Sequence, residues 1–372
     1  MSGTGRVGVG VIGAGMISDT YLENLTSFPD VEVLAIGDLD AARAAAQAEK
    51  WGVRSSGAAD DVLANPDVEI VVNLTIPAVH AEVALATLDA GKHVWTEKPI
   101  AVDRASARAV LDRAAATGLR VGVAPDTVLG PGVQTARRAI ARGDIGTPIA
   151  AQTVMQYIGP DLFHPNPEFL FSPGAGPLFD MGPYYLTALA NVFGAYDSVS
   201  ASGIRGRETR RVQVGDRAGV EFPVTVPTLV NAIMRFESGA GAQSVFSFDS
   251  HFPRMGYVEV TGTEGTMLIP DPNMFVGDVK ITHAGDPMAE PEWRTLEPVG
   301  VEAGRGLGVL DMARSIRAGA PHIATGELGY HVLDTMISID ESISSGQTVR
   351  VASSIGEIPL IPEEWDPREA TL

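Results

Sequence analysis

The sequence has no cysteine and only four lysines among its 372 residues. Without cysteine there is no disulfide bond and no thiolate chemistry, which fits a reducing compartment. Positive charge is scarce altogether, because the formal net charge is −19. Nucleic acids and anionic membranes bind clustered Lys and Arg, so we expect neither as a partner.

Long apolar runs are missing too. No run approaches the roughly 20 residues that span a bilayer, and residues 1–6 lack the basic-then-apolar pattern of a secretory signal. We therefore expect a cytoplasmic protein, with roughly two domains at this length. The seven histidines show no pairing at ligand spacing, so no metal site is predicted.

The first half opens with a glycine-rich turn. An apolar run, residues 7–12, leads into Gly13-Ala14-Gly15-Met16-Ile17-Ser18 and then into helix-like sequence. Gly13 permits the tight turn, and Gly15 lets backbone amides approach a pyrophosphate at the positive helix N-terminus. Ser18 replaces the third glycine of the usual fingerprint and is still small enough for close packing. The pattern predicts a dinucleotide site, although such turns are common after strands.

Asp38 ends the second predicted strand, residues 31–37, and lies 25 residues after Gly13. That separation is close to the roughly 20 residues expected for the acid that holds the adenosine ribose hydroxyls. A carboxylate there would repel a 2′-phosphate, so the sequence favours NAD over NADP. The alternative is that Asp38 caps a helix over residues 41–51. The upstream glycine turn favours the ribose role.

Strands and helices continue to alternate up to residue 125. Strand 69–74 runs through the loop Thr75-Ile76-Pro77 into a helix, and two further strands follow. This spacing predicts an α/β domain, residues 1–125, with a doubly wound parallel sheet and right-handed crossovers. His80, in the first turn of its predicted helix, either faces the cofactor or is a packed core histidine, and the sequence leaves both open.

Lys98 stands between Glu97 and Pro99, directly after the predicted strand 93–96. The proline disfavours helical geometry at Lys98, so the chain stays extended there. Ligands of an open parallel sheet collect beyond the carboxyl ends of the strands, where this strand delivers Lys98. A chain with so few lysines is also less apt to place one here by chance. We predict that Lys98 meets a nicotinamide cofactor and the hydroxyl group of a substrate.

Residues 126–372 are predicted to form a second, α+β domain. Strands of alternating polarity separated by turns such as Glu237-Ser238-Gly239 indicate a largely antiparallel sheet, covered by late helices. Within this domain Asp180 and Tyr184 lie four residues apart and so share one helical face. The spacing alone favours a capping role for Asp180 and a packing role for Tyr184.

These pieces together resemble the glucose–fructose oxidoreductase and inositol dehydrogenase family, Gfo/Idh/MocA, over nearly the whole chain. The resemblance is carried by residues 13–18, by residues 90–99 (Ala-Gly-Lys-His-Val running into Glu-Lys-Pro) and by residues 176–184. It implies a Rossmann domain followed by an α/β domain with a large open sheet, which commonly forms a homodimer or homotetramer interface. It also implies reversible hydride transfer between NAD(P) and a carbon of a sugar, polyol or similar compound.

The resemblance also implies roles for individual residues. Lys98 matches the catalytic lysine and Asp180 the substrate-orienting acid. Tyr184 stands where many members have histidine, and a tyrosine there in glucose–fructose oxidoreductase is proposed to carry the proton. Thr187 replaces a second acid, which argues against an inositol-type substrate grip, and Asp126 lies in a loop where many members have arginine. The predicted cofactor contacts are Gly13, Gly15, Met16, Ile17, Asp38, Thr75, Ile76, Pro77, His80, Glu97, Lys98 and Asp126.

Two rivals to a plain dehydrogenase follow from the same fold. One is a regulator that senses a dinucleotide without catalysis. Such a regulator is expected to have lost the lysine or the Asp-x-Gly segment, and this sequence has both Lys98 and Asp180-Met181-Gly182. The other is an enzyme that keeps NAD(P) bound and recycles it in a redox-neutral reaction. The motifs do not identify the substrate. His164 and His251 stand in proline-fixed loops that either line its pocket or are solvated.

Overall fold

The chain folds into two compact units in the computed structural model, which describes residues 5–286 and 288–372. The first unit comprises the chain up to Pro131 together with Gly300–Leu333 and Ile361–Leu372, and the second comprises Gly132–Val299 and Asp334–Leu360. Residues 1–4, on which the expected lack of a secretory signal partly rests, lie outside the described residues.

The division differs from the contiguous split expected between residues 125 and 126. The first boundary is close to the expected one, but two later segments return to the first unit. One reason is that the carboxylate of Asp126 accepts hydrogen bonds from the backbone N–H groups of Gly306 and Gly308, at 2.9 and 3.1 Å. Contacts between such distant parts of the chain leave no periodic pattern in the sequence.

A six-stranded parallel sheet forms the centre of the first unit over its described residues. Its strands, numbered along the chain, are β1 Val7–Ile12, β2 Val31–Gly37, β3 Ser55–Gly57, β4 Ile70–Asn73, β5 His93–Thr96 and β6 Val121–Val123. They pair in the order β3-β2-β1-β4-β5-β6. All six residues of β1 are buried, as expected for a strand covered on both faces. The predicted doubly wound parallel sheet is confirmed.

Helices flank the sheets of both units. Along the chain they are α1 Met16–Leu25, α2 Ala41–Trp51, α3 Ala59–Ala64, α4 His80–Asp89, α5 Arg104–Thr117, α6 Pro131–Ala141, α7 Gly176–Phe193, α8 Leu307–Ala318 and α9 Gly326–Ser345. Asp103 is the N-cap of α5, and its side chain accepts from Ser106 N. Within the described residues, none of the helices is both long enough and apolar enough to cross a membrane.

A large mixed sheet organises the second unit. Its strands, with one separate pair, are β7 Pro148–Gln156, β8 Tyr196–Ile204, β9 Thr209–Arg211, β10 Glu221–Pro223, β11 Leu229–Phe236, β12 Gly241–Ser247, β13 Arg254–Gly262, β14 Gly265–Ile269, β15 Val279–His283, β16 Arg294–Leu296 and β17 Val349–Arg350. Over the described residues the large sheet runs β16-β15-β14-β13-β7-β12-β11-β8-β17, and β9 pairs with β10. Among its described strands, only β7 and β12 pair in parallel. The predicted, mainly antiparallel sheet is confirmed.

This sheet has one covered face and one open face. Buried and exposed residues alternate along β11, as they do in a strand with one solvated side. Helix α7 packs on the covered face, where Tyr185 meets Phe246 of β12 edge-on with ring centres 5.9 Å apart. On the open face the side chain of Ile233 is 64% exposed.

Candidate functional site

The glycine turn after β1 holds two glycines with different surroundings. Gly13 has φ +106°, and a Cβ there would lie 2.6 Å from the carbonyl carbon and oxygen of Leu74, so the turn itself requires glycine. Gly15 is the N-cap of α1 with φ −77°, and a Cβ there would meet nothing within 4 Å. The space over Gly15 therefore stays open for an anion that approaches the first amides of α1.

Asp38 ties the end of β2 to the glycine turn. Its Oδ2 accepts a hydrogen bond from Ala14 N at 2.7 Å, and its Oδ1 accepts from Asp40 N at 2.8 Å. The capping role considered for Asp38 belongs to Asp40 instead, which precedes α2 and accepts from Ala42 N and Arg43 N. Each carboxylate oxygen of Asp38 has a further lone pair, so the group can also accept from a ribose hydroxyl.

Exposed apolar side chains follow three neighbouring strands of the first sheet. Met16 after β1 is 78% exposed, Ile76 after β4 is 66% exposed, and Leu39 after β2 is fully exposed. Because these parallel strands are neighbours in the order β2-β1-β4, their carboxyl ends lie on one edge of the sheet. Such an edge suits a flat, largely apolar group such as an adenine base. Leu39 was absent from the predicted contacts, and its only signal is its place beside Asp38.

The side chains of Asn73 and His80 hold the loop after β4. Thr75 N and Oγ1 both donate to Asn73 Oδ1, at 3.3 and 2.6 Å. His80 is fully buried, with Nε2 3.0 Å from Thr75 O and Nδ1 2.7 Å from Pro99 O. Of the two roles that the sequence left open, His80 therefore has the packed one, and it links this loop to the segment after β5. Pro77 is exposed and begins a 3-10 turn.

Lys98 follows β5 and is half-buried. Its backbone N–H donates to Glu97 Oε2 at 3.0 Å, while Glu97 Oε1 accepts from Tyr21 OH at 2.8 Å. Glu97 is only 8% exposed, so its carboxylate is held inside the protein. The backbone is hydrogen-bonded on both sides of Lys98, through its own N–H and through the carbonyl of Pro99.

Asp126, which follows β6, is fully buried. Its Oδ2 accepts from Gly306 N and Gly308 N, and Arg305 Nη1 lies 4.0 Å from its Oδ1. Burial raises the pKa of Asp126 above its ordinary value, and Arg305 opposes that rise. The carboxylate holds the start of α8, so the expectation that it approaches the nicotinamide or the substrate is not met by this arrangement.

In the second unit, Asp180 and Tyr184 lie one turn apart on α7. The helix begins at Gly176 and its N-cap is Ala175, so the capping role that spacing alone favoured for Asp180 is wrong. Asp180 is half-buried, and Tyr184 is 6% exposed. This turn of α7 places an acid and a phenol on one face. Thr187, which replaces the second acid, is buried.

Tyr157 lies within electrostatic reach of Asp180, although no motif marked it. Burial raises the pKa of Tyr157 above its ordinary value, and the charges of Asp180 and Asp161 raise it further. Its half-buried ring stacks on Phe163 with centres 6.3 Å apart and meets Phe248 edge-on at 5.3 Å. The only sequence signal for Tyr157 is its position directly after β7.

A buried arginine holds the loops around Tyr157. The side chain of Arg210 is 1% exposed, and its Nη1 donates to Asp161 Oδ1 at 2.7 Å. Its Nη2 donates to Asp249 Oδ1 at 2.6 Å and to the carbonyl of Phe248. These bonds connect β9 to the segments after β7 and after β12, and so fix the surroundings of Tyr157.

The two loop histidines differ in exposure. His164 is half-buried, its Nδ1 accepts from Asn166 N at 3.0 Å, and its ring meets Phe169 edge-on at 5.3 Å. His251 is exposed. The contacts of His164 order its own loop.

Two family profiles match the chain in succession. The profile described as "Oxidoreductase family, NAD-binding Rossmann fold" matches residues 7–124, and "GFO/IDH/MocA C-terminal domain" matches residues 133–268. A trans-1,2-dihydrobenzene-1,2-diol dehydrogenase from Bos taurus is 30% identical over 268 residues, which cover 71% of this chain and 74% of the relative. The chain belongs to the GFO/IDH/MocA oxidoreductase family.

Two further proteins align over nearly the full chain. A 1,5-anhydro-D-fructose reductase from Ensifer adhaerens is 28% identical over 357 residues, 93% of this chain and 99% of the relative. A solved structure of levoglucosan dehydrogenase in complex with NADH and L-sorbose shares the fold, with a TM-score of 0.81 at 22% identity over 94% of this chain and all of that one. The predicted family is confirmed, and the protein is an NAD(P)-dependent oxidoreductase with an NAD-binding Rossmann unit.

The residues of the first unit fit NAD at three points. The space over Gly15 is open at the start of α1, which suits the pyrophosphate. Asp38 has lone pairs left for ribose hydroxyls. The exposed side chains after β1, β2 and β4 offer an apolar edge for the adenine.

Proposed function

We propose that this NAD-dependent oxidoreductase transfers a hydride between nicotinamide and a hydroxyl or keto carbon of a sugar, a polyol or a sugar derivative. The names of similar proteins support this substrate class, since they include a reductase of 1,5-anhydro-D-fructose and a dehydrogenase of levoglucosan. The observation that carries the proposal is the position of Lys98, which follows β5 at the sheet edge that also carries the open glycine turn.

The cofactor is proposed to bind along the carboxyl edge of the first sheet. Its contacts there are Gly13, Gly15, Met16, Ile17, Asp38, Leu39, Thr75, Ile76, Pro77, Glu97 and Lys98. The carboxylate of Asp38 would repel a 2′-phosphate, so NAD is preferred over NADP. His80 and Asp126 support this edge from the interior without touching the cofactor.

The hydride that leaves the substrate carbon would pass to NAD held by these residues. The remaining chemistry is a proton transfer, because the hydroxyl group of the alcohol must lose its proton as the C–H bond breaks. We assign this proton to Lys98 and Tyr184, one of which carries it while the other stabilises the alkoxide. Asp180 orients the substrate hydroxyl. In the reducing direction the same pair donates to the carbonyl oxygen.

The proposal includes a homodimer or homotetramer formed through the large sheet of the second unit. Its support is the open face of that sheet, where the apolar side chain of Ile233 is 64% exposed. The assembly stays a prediction.

The test is the substitution Lys98→Met. A panel of sugars, polyols and their keto forms is screened with NAD or NADH at 340 nm, and NADH binding is followed by fluorescence titration. We expect the parent to turn over at least one compound and Lys98→Met to lose at least about 10²-fold in kcat, with NADH binding retained. The matched control is Lys50→Met, which removes an exposed lysine paired with Asp19.

Normal turnover of Lys98→Met would remove Lys98 from the chemistry. A parent that turns over nothing in the panel would contradict the proposed substrate class. NAD(H) that stays with the protein through gel filtration would favour the alternative in which the cofactor remains bound and is recycled.

A further inference from the structure

Tyr21 lies on α1 and is fully buried. Its hydroxyl donates to Glu97 Oε1 at 2.8 Å and accepts from Trp95 Nε1 at 3.3 Å. Tyr21 therefore connects the helix that starts at the glycine turn with the end of β5. The proposed chemistry makes no use of this phenol.

Glu97 passes this contact on to Lys98. Its Oε1 accepts from Tyr21, its Oε2 accepts from the backbone N–H of Lys98 at 3.0 Å, and the residue is 8% exposed. A carboxylate that accepts from the very next amide needs a fixed side-chain conformation, and the phenol supplies its second anchor. We propose that Tyr21 is a positioning residue for Lys98: it fixes the carboxylate of Glu97, which in turn fixes the backbone that presents the lysine.

The surroundings of Tyr21 keep its hydroxyl protonated. Burial raises the pKa of Tyr21 well above its ordinary value, the charges of Glu97 and Asp126 raise it further, and Arg305 opposes them. Tyr21 therefore remains a hydrogen-bond donor at neutral pH. A bond from a phenol to a buried carboxylate is charge-assisted and is stronger than one between neutral groups.

A purely space-filling role for Tyr21 predicts a different outcome. Tyr21→Phe keeps the ring and loses only the hydroxyl donor. If Tyr21 only fills space, the variant should change the thermal stability and leave kcat and the labelling rate of Lys98 unchanged. Tyr196 offers a matched comparison, because it is also fully buried and its hydroxyl donates to Leu186 O at 2.8 Å.

The inference rests on the proposed function, so the first readout is activity. In Tyr21→Phe we expect kcat to fall at least about 10-fold with an unchanged Kd for NADH, because a displacement of ~1 Å at a reacting group costs up to ~10²-fold. Tyr196→Phe should keep its kcat.

A double variant separates action through Glu97 from a direct effect. Glu97→Gln replaces one carboxylate oxygen with an amide nitrogen, which cannot accept a hydrogen bond. One of the two bonds, from Tyr21 OH or from the Lys98 N–H, is therefore lost. If Tyr21 acts through Glu97, adding Tyr21→Phe to Glu97→Gln lowers kcat no further. Losses that multiply in the double variant would contradict this route.

A second readout needs no turnover. The chain has only four lysines, so each can be followed by competitive labelling with acetic anhydride and mass spectrometry of peptides. We expect Lys98 to label at least about twofold faster in Tyr21→Phe, because local mobility exposes its amine. The exposed Lys280 is the internal standard and should keep its rate. Glu97→Gln should give the same change, and it provides the test if Tyr21→Phe does not fold.

Unchanged kcat and unchanged labelling of Lys98 in a folded Tyr21→Phe variant would overturn the inference. Equal losses of kcat in Tyr21→Phe and Tyr196→Phe would overturn it as well. A parent that turns over no sugar or polyol, together with faster labelling of Lys98 in the variant, would support the positioning role and count against the proposed substrate class alone.

Discussion

Lys92 in the first unit and Arg210 in the second are both buried cations, and they are satisfied in opposite ways. Lys92 is 6% exposed, and its Nζ donates to the backbone carbonyls of Asn65 and Val68 at 2.6 and 2.8 Å. Burial lowers the pKa of Lys92 below its ordinary value, with a charge interaction from Asp67 opposing the change. A lysine can adapt to such a place because it can give up its proton.

Arg210 is surrounded by opposite charge instead. It donates to the carboxylates of Asp161 and Asp249 at 2.7 and 2.6 Å, and its guanidinium carbon lies 5.0 Å from the centre of the Phe171 ring. Arginine keeps its proton in proteins, so burial of this side chain requires carboxylate partners.

The contrast shows how each unit holds the residues of its site. Lys92 directly precedes β5, the strand that ends at Lys98, and it anchors that strand to the backbone of the turn before β4. Arg210 gathers three separate segments around Tyr157. Lys92 relies on backbone dipoles and Arg210 on paired charges. Removing each side chain should therefore lower the free energy of unfolding by a different amount.

The largest effect is expected from Arg210→Met. Removing the cation leaves the buried carboxylate of Asp161 and the partly buried one of Asp249 uncompensated, which should lower the free energy of unfolding by about 3–5 kcal/mol. Urea denaturation measures the loss. The control is Arg350→Met, which removes a surface pair with Asp197 in which the arginine is 80% exposed, a kind of pair that contributes little. Equal losses in the two variants would mean that Arg210 is not the centre of a buried charge network.

A smaller loss is expected from Lys92→Met. Methionine keeps most of the side-chain volume and leaves two carbonyls without a donor, but it leaves no charge behind. The free energy of unfolding should fall by about 1–2 kcal/mol in the same denaturation assay. A loss as large as that of Arg210→Met would break the contrast between the two anchors.

The smallest effect is a pH dependence tied to Lys92. Between its lowered pKa in the folded protein and its ordinary value of 10.5, the unfolded chain binds more protons than the folded chain. Stability therefore rises as the pH rises through that window. Lys92→Met should remove this rise in Tm and Arg210→Met should not, since arginine stays charged. If the parent and Lys92→Met show the same pH dependence, Lys92 is not a cation that folding disfavours.

Much of the first unit follows from local sequence. The observed bounds of β1, β2 and β5 are those predicted, because each strand is an apolar run that ends at a glycine or at charged residues. Lys98 could be predicted as a site residue because it follows the end of a strand, and local sequence marks that end. Lys92 was noted only as part of a motif, and the structure explains it as a buried anchor.

The second unit was harder to predict, because its important contacts join distant residues. Arg210 lies 49 residues from Asp161 and 39 residues from Asp249, and no periodicity reports such pairs. Strands β14, β15 and β16 are short, and local sequence does not mark them, because their pairing depends on neighbours in the sheet rather than on alternation. The return of residues 300–333 to the first unit was missed for the same reason.

The bonds of Asp126 to Gly306 and Gly308 also bear on synthesis of the protein. A nascent chain that has left the ribosome only as far as residue 131 already contains this acid, whereas the amides that it binds are about 180 residues further on. The nucleotide-binding unit therefore lacks these hydrogen bonds until the intervening sheet has been translated. We expect a fragment that stops at residue 131 to need a chaperone, or to aggregate, where the full polypeptide folds.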